Sequence, residues 1–189
     1  MPVRTAVLAP PALTARRAVA VVLGAALVAV AAQVAVPLPG TPVPMTLQPL
    51  AVLLVGGALG PRLGAASLAL YVAAGIAGLP VFTPSPMLPP GLGRLFGPTG
   101  GYLLAYPVAA FAVGHLAVDG RRWIRLGVAV LAGITLIHLG GLAQLMILTG
   151  SVERAAHLGT WPFVLGDLGK LGFAVLILRS AIPTIRARL

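Results

Sequence analysis

The sequence contains no cysteine, which excludes disulfides and cysteine metal ligands. It is almost without acid. Asp119, Glu153 and Asp167 are the only carboxylate side chains, against 13 lysines and arginines, and the net charge is +10. Lysine occurs once, at Lys170, so nearly all the positive charge is arginine. Three carboxylates spread along the chain, with His115, His138 and His157 at no ligand spacing, argue against a catalytic constellation and against a metal site. No phosphate-binding loop of the G-x-x-x-x-G-K-[ST] type is present. Gly169-Lys170-Leu171 lacks both the spacing and the hydroxyl residue.

What is present is apolar. Of 189 residues, 59% are hydrophobic and 8% charged, with a mean hydropathy of +1.04. A soluble domain of this size has no use for so much apolar surface. The composition predicts an integral membrane protein, one compact all-α domain over residues 1–189. The basic balance does not point to nucleic acid, because the arginines fall between apolar runs rather than in one stripe.

Six apolar runs are read as spans: 18–36, 46–59, 65–79, 100–118, 126–148 and 163–182. The first has a rival reading as a secretory signal peptide, with Ala29-Val30-Ala31 as a cleavage site. The runs that follow favour a span. Residues 1–17 and 183–189 are read as tails. Ala18, Ala25, Ala29 and Ala32 form a small-residue stripe on the first span, and Ala20 and Gly24 are spaced for close helix approach, to another protein or within the chain. Residues 37–45 carry four prolines and no charge, a stiff apolar loop. Residues 60–64 read as a tight turn. Gly56, Gly60 and Gly64 recur every fourth residue, though Pro61 argues against one continuous helix. The loop 80–99 has five prolines up to Pro90 and a single charge, Arg94. Such apolar loops suit a lid folded over a bundle. Arg94 is then either a donor for a carboxylate or a partner of loop carbonyls and headgroups. Thr99 is a candidate N-cap for the fourth span.

Of the arginines, ten lie in the tails, in 60–64, in 119–125 and, as Arg179, near the end of the last run, and two, Arg94 and Arg154, in the other loops. That asymmetry predicts both termini on the cytoplasmic side of a plasma membrane. The proline-rich loops, Arg94 and the start of the last span then share the outer face. There Asp167 and Lys170 stand three residues apart, on one helical face. Ions at the edge of an apolar span are costly unless used. Either they neutralise each other, or they form an acceptor–donor pair suited to a neutral polar ring with N–H groups and a carbonyl. His138 and Gln144, within the fifth run, suit a polar cavity or a bond to a neighbouring helix.

Several segments carry a resemblance. Pro44-Met45-Thr46-Leu47-Gln48-Pro49, Leu59 to Ala65, Gly78 to Phe82, and above all Leu95-Phe96-Gly97-Pro98-Thr99-Gly100-Gly101-Tyr102 resemble the BioY family, over nearly the whole chain. These are substrate-binding S-components of energy-coupling-factor (ECF) transporters. The resemblance implies a prokaryotic plasma-membrane protein of six helices with a biotin site near the outer face. It implies no cofactor and no enzymatic activity, biotin being the transported substrate. Its partners would be a transmembrane coupling protein and two ATPases. Carried onto this sequence, it implies that Asp167 and Lys170 meet the ligand's polar ring and that Arg94 belongs to the same site. Gln48, Tyr71, Phe82 and Tyr102 become candidates for the wall, and Ala20, Gly24, Ala25 and Ala29 for the contact with the coupling protein. The segment Thr83-Pro84-Ser85-Pro86 departs from the family's glycine-rich loop and its small polar contact.

Overall fold

A computed structural model describes residues 11–85, 88–118 and 120–189. Arg4 of the first tail, Pro86 of the second proline-rich loop and Asp119 lie outside them. The order is α1 (Pro11–Gln33), β1 (Ala35–Val36), β2 (Met45–Thr46), α2 (Gln48–Leu59), α3 (Pro61–Ile76), a 3-10 turn (Leu92–Phe96), α4 (Gly100–Leu116), α5 (Trp123–Thr149), α6 (Val152–Gly159), a second 3-10 turn (Trp161–Phe163) and α7 (Val164–Arg186).

Six helices, α1 to α5 and α7, form one bundle, and α6 is a short cross-piece. α4 packs chiefly on α5 and α3, α1 on α3, and α2 lies between α4 and α7. α1, α5 and α7 are long and apolar enough to cross a bilayer. α2, α3 and α4 have 12, 16 and 17 residues. At 1.5 Å per residue they reach about 18, 24 and 26 Å, short of a hydrocarbon core of about 30 Å. The proline-rich loops adjoin the first turns of α2 and α4 and the last turn of α3. Val22, Leu104, Ile147 and Phe173, on four different helices, face outward and are exposed. Water would penalise that surface, whereas lipid does not. Trp123 stacks under the Arg179 guanidinium at 4.2 Å, and exposed Trp161 marks the opposite end. Tryptophans at both ends suit the two membrane interfaces.

Boundaries differ from the sequence reading at several points. α1 starts earlier, at Pro11, because proline is tolerated in the first turn, where its missing N–H has no partner to lose. Ala35 and Val36 leave the span and pair with Thr46 and Met45 as a two-residue antiparallel ladder. The expected 60–64 turn shrinks to one residue. Gly60 adopts φ 84°, and α3 begins at Pro61. The expected 149–162 loop contains α6, whose N-cap Ser151 accepts from the Arg154 amide at 3.3 Å.

The Gly56/Gly64 spacing serves a hairpin rather than one helix. A Cβ on Gly64 would lie 2.8 Å from the Gly56 Cα, and one on Gly56 would lie 2.5 Å from the Ala110 carbonyl oxygen. The backbones of α2, α3 and α4 therefore nearly touch. At the same end Arg186, from the last turn of α7, donates to the carbonyls of Val118 at 2.8 Å, Gly57 at 2.6 Å and Gly114 at 3.1 Å. Gly57 and Gly114 lie in the last turns of α2 and α4, where carbonyls lack helical partners. α7 continues through Pro183 to reach this position, so part of the expected 183–189 tail is helix.

Candidate functional site

The site lies at the opposite end of the bundle, under both proline-rich loops. The first loop is anchored by Thr41. Its hydroxyl donates to the Leu158 carbonyl at 2.5 Å and accepts from the Val43 amide at 3.1 Å. The second loop is organised by Arg94, which is 5% exposed. Its Nη2 donates to the Thr83 carbonyl at 2.6 Å and its Nη1 to the Leu88 carbonyl at 3.2 Å. Its Nε is buried with no hydrogen-bond partner. Burial lowers the pKa of the guanidinium from the ordinary arginine value, yet the group stays charged at neutral pH. Among the described residues no carboxylate pairs with it.

Gln48, at the start of α2, is the hub of the polar floor. Its Nε2 donates to the Tyr71 hydroxyl at 2.6 Å. Its Oε1 accepts from Thr83 at 2.7 Å and from Thr46 at 3.3 Å. A buried amide with several partners holds one orientation. The Phe82 ring lies against Gly75, where any Cβ would come within 2.1 Å of the ring. It meets Tyr71 edge-on at 5.5 Å. The Tyr102 ring lies across Gly141 in the same manner, a Cβ there falling 2.0 Å from Cζ. Its hydroxyl donates to the Gly159 carbonyl at 2.6 Å. Two glycines thus make room for two aromatic walls.

The ionic side is built on α7. Lys170 Nζ donates to Asp167 Oδ1 at 2.9 Å, and both residues are buried. The second carboxylate oxygen, Oδ2, lies 2.7 Å from His138 Nε2 on α5. His138 Nδ1 faces the Gly159 carbonyl at 3.3 Å.

Gln48, Phe82, Arg94, Tyr102, Asp167 and Lys170 all border one cavity of about 50 Å³. Tyr71 does not border it and stands behind Gln48. The lining also includes Thr83, Thr99, Tyr106 and His138. The sequence did not single out Tyr106. It offered His138 only as a cavity or helix-contact residue, although an ionisable side chain inside an apolar span was a signal. Thr83, from the segment that departs from the family pattern, borders the cavity and donates to Gln48. Thr99 borders the cavity but makes no side-chain cap bond to α4. Gln144 lies outside the site and donates to the Phe96 carbonyl at 3.3 Å. On α1, Gly24 and Ala25 are buried, while Ala20 and Ala29 are half-buried. A Cβ on Gly24 would lie 2.6 Å from the Ser67 hydroxyl oxygen, so that position faces α3 of this chain.

Chemically, the cavity has an acceptor–donor pair on one flank and an unpaired guanidinium in the lid. Arg94, Lys170 and Asp167 sum to one positive charge. The N-terminal ends of α2, α4 and α7 border the same space, adding partial positive charge. The field favours an anionic ligand with a neutral polar head.

Comparison with known proteins gives the same frame. The sequence matches the BioY family over residues 4–187. It is 39% identical over 157 residues to the probable biotin transporter BioY of Pyrococcus horikoshii, covering 83% of this chain and 90% of that protein. To the biotin transporter BioY of Thermotoga maritima it is 38% identical over 152 residues, covering 80% and 87%. A crystal structure of the S-component for biotin from an ECF-type ABC transporter matches with a TM-score of 0.81 at 24% identity, over 92% of this chain and 94% of that one. At that identity the structural likeness speaks for the fold. The family match spans almost all of the sequence, and on it this chain belongs to the BioY family.

Proposed function

We propose that this protein captures biotin at the outer face of the plasma membrane and serves its uptake as the S-component of an ECF transporter. The observation that carries the reading is one cavity holding an Asp167–Lys170 pair and, in its lid, a buried guanidinium whose Nε has no partner. Biotin has complementary groups. Its ureido ring offers two N–H donors and a carbonyl. Asp167 accepts from the N–H side, and Lys170 donates to the carbonyl. The carboxylate of the valeryl chain goes to Arg94. The thiophane ring and methylenes lie against Phe82, Tyr102 and Tyr106. Gln48 and Tyr71 hold the floor, with Tyr71 acting through Gln48.

A cavity of about 50 Å³ is too small for this ligand, since pockets for small molecules run from about 300 Å³ upward. Binding therefore displaces the lid. Bonds that tie it down include Thr41 to Leu158, Thr83 to Gln48 and Gln144 to Phe96, while Arg94 braces it internally through Thr83 and Leu88. The arginine asymmetry supports both termini on the inside and the cavity on the outside. The whole chain then acts as one transmembrane unit. Energy comes from two ATPase subunits through a coupling protein. Ala20 and Ala29, half-buried on α1, suit the contact with that protein. Gly24 and Ala25 of the same stripe bring α1 against its own bundle.

Tritiated biotin retained by the purified protein tests the reading, with biotin amide as competitor. Wild type should prefer biotin over the amide, and Arg94→Gln should abolish that preference. A wild-type protein that retains no biotin would overturn the reading. One that does not distinguish acid from amide would remove Arg94 from the carboxylate.

A further inference from the structure

On one flank of the bundle, α1 and α7 lie on either side of α2 and barely touch each other. Between them runs a groove of about 400 Å³ with a wholly apolar lining. Ala20, Leu23 and Leu27 form one wall and Ile177, Ala181 and Ile185 the other, over a floor from the C-terminal half of α2. Leu23, Leu27 and Ile177 are exposed. The groove shares no lining residue with the cavity under the loops.

Both walls run out into an arginine at the same end. Arg16 stands one turn before Ala20 on α1 and is in register with that wall. Arg188 stands one turn past Ile185, and its amide still bonds the Ile185 carbonyl at 3.0 Å. The Arg17 Nε donates to the Leu189 carbonyl at 3.0 Å, which brings the two wall ends together. Arg16 and Arg188 are exposed, and among the described residues no carboxylate side chain pairs with either.

Depth selects the occupant. Eleven residues separate Arg16 from Leu27, and eleven separate Arg188 from Ile177, about 16 Å at 1.5 Å per residue. Half of a hydrocarbon core is about 15 Å. The groove therefore runs from headgroup level to the middle of the bilayer. Past Leu27, α1 closes on the bundle, with Val28 and Ala32 fully buried. A transmembrane partner helix would use a face along the whole span, whereas an acyl chain of one leaflet uses half.

We propose that this groove binds one anionic phospholipid from the arginine-rich side, with an acyl chain between α1 and α7 and the phosphate at Arg16 and Arg188. Guanidiniums are permanently charged and match phosphate oxygens in geometry. A zwitterionic lipid offers the same chain and phosphate but brings its own cation to the two arginines. Ala20 also belongs to the stripe that suits the coupling protein, so lipid and coupling protein share this edge.

The experiment is native mass spectrometry of the delipidated full-length protein in detergent, titrated with phosphatidylglycerol or phosphatidylcholine of identical acyl chains. Wild type should retain one phosphatidylglycerol, preferred roughly thirtyfold, the attraction of two basic side chains for an anionic headgroup. Arg16→Gln with Arg188→Gln should lose that preference. Arg122→Gln with Arg125→Gln removes as much charge from the loop before α5, at the same end of the bundle, and should keep it. Ala181→Phe fills the groove and should lower retention of both lipids. A wild type without preference would overturn the proposal, and this arm needs no variant to fold. So would a preference that survives Arg16→Gln with Arg188→Gln, or one lost equally in the loop variant, which would make it diffuse charge. Unchanged retention in Ala181→Phe would put the lipid elsewhere and refute the site. A protein that runs as a dimer and takes up no lipid would give the groove to a second copy of the chain instead.

Discussion

Breaking the Asp167–Lys170 pair from each side, and then from both, separates a binding role from mere self-neutralisation. The two residues are 5% and 8% exposed and 2.9 Å apart. Removing one partner of a buried pair strands the other charge, at a cost of about 3 to 5 kcal/mol. Lys170→Met should sit near about 3 kcal/mol, because His138 still holds Asp167 at Oδ2. Asp167→Asn strands the Lys170 charge and removes the carboxylate that His138 meets, and should be the more damaging. The double variant Asp167→Asn with Lys170→Met removes both charges, and neutralised buried pairs are often close to neutral in stability. Thermal unfolding in detergent should therefore rank Asp167→Asn lowest, Lys170→Met next, and the double variant near wild type. Biotin binding should follow a different order. Each charged hydrogen bond to ligand contributes about 1.5 to 3 kcal/mol, so each single variant loses about ten- to hundredfold in affinity and the double variant, lacking both bonds, loses more. If the double variant recovers binding together with stability, the pair only neutralises itself, and its assignment to the ureido ring is refuted.

Other substitutions test the supports around the site. Gly141→Ala places a Cβ 2.0 Å from the Tyr102 ring. The ring must shift, at about 1 to 3 kcal/mol, and biotin titration should show weaker binding while Tyr102→Phe stays closer to wild type. Arg186→Gln loses charged bonds to the ends of α2 and α4 at the far end of the bundle. It should cost about 3 kcal/mol in unfolding free energy with biotin affinity unchanged. A parallel loss of affinity would show that the two ends are coupled. Ala29→Trp, on a half-buried position, should impair co-purification with the coupling protein and leave biotin binding intact. Gly24→Leu instead runs into Ser67 and Val55, so it should lower the yield of folded protein.

The Arg94 position joins lid and site. The residue has two backbone carbonyls to hold and a buried Nε left over. The two alternatives left open by the sequence, a partner of loop carbonyls or a donor for a carboxylate, are therefore compatible. Its Nη groups organise the loop, and its Nε is buried without a partner. The same loop positions Thr83 to complete the hydrogen bonding of Gln48. Lid closure and floor geometry therefore depend on one another.

The sequence by itself determined the solvent, the number of spans and the whereabouts of the ions. Apolar run length and scarcity of charge are local properties, and a bilayer reads them without help from tertiary contacts. The Asp167–Lys170 pair was legible for the same reason, since three residues along a helix fix a shared face. Proline content marked the lid, because proline stiffens a loop wherever it falls. Only the tertiary structure decided what those ions meet. His138 lies 29 residues from Asp167, and no local pattern says which face of α5 turns to which face of α7. The glycines carried no hint that Gly75 and Gly141 make room for Phe82 and Tyr102. Such a fit depends on two backbones approaching to within a side chain's thickness, and that is set by packing. Arg186 looked like a topology charge in a tail and instead caps two helices, because helix ends brought together by the fold leave carbonyls without partners. Local chemistry names the groups that must be satisfied, and the packed bundle chooses their partners.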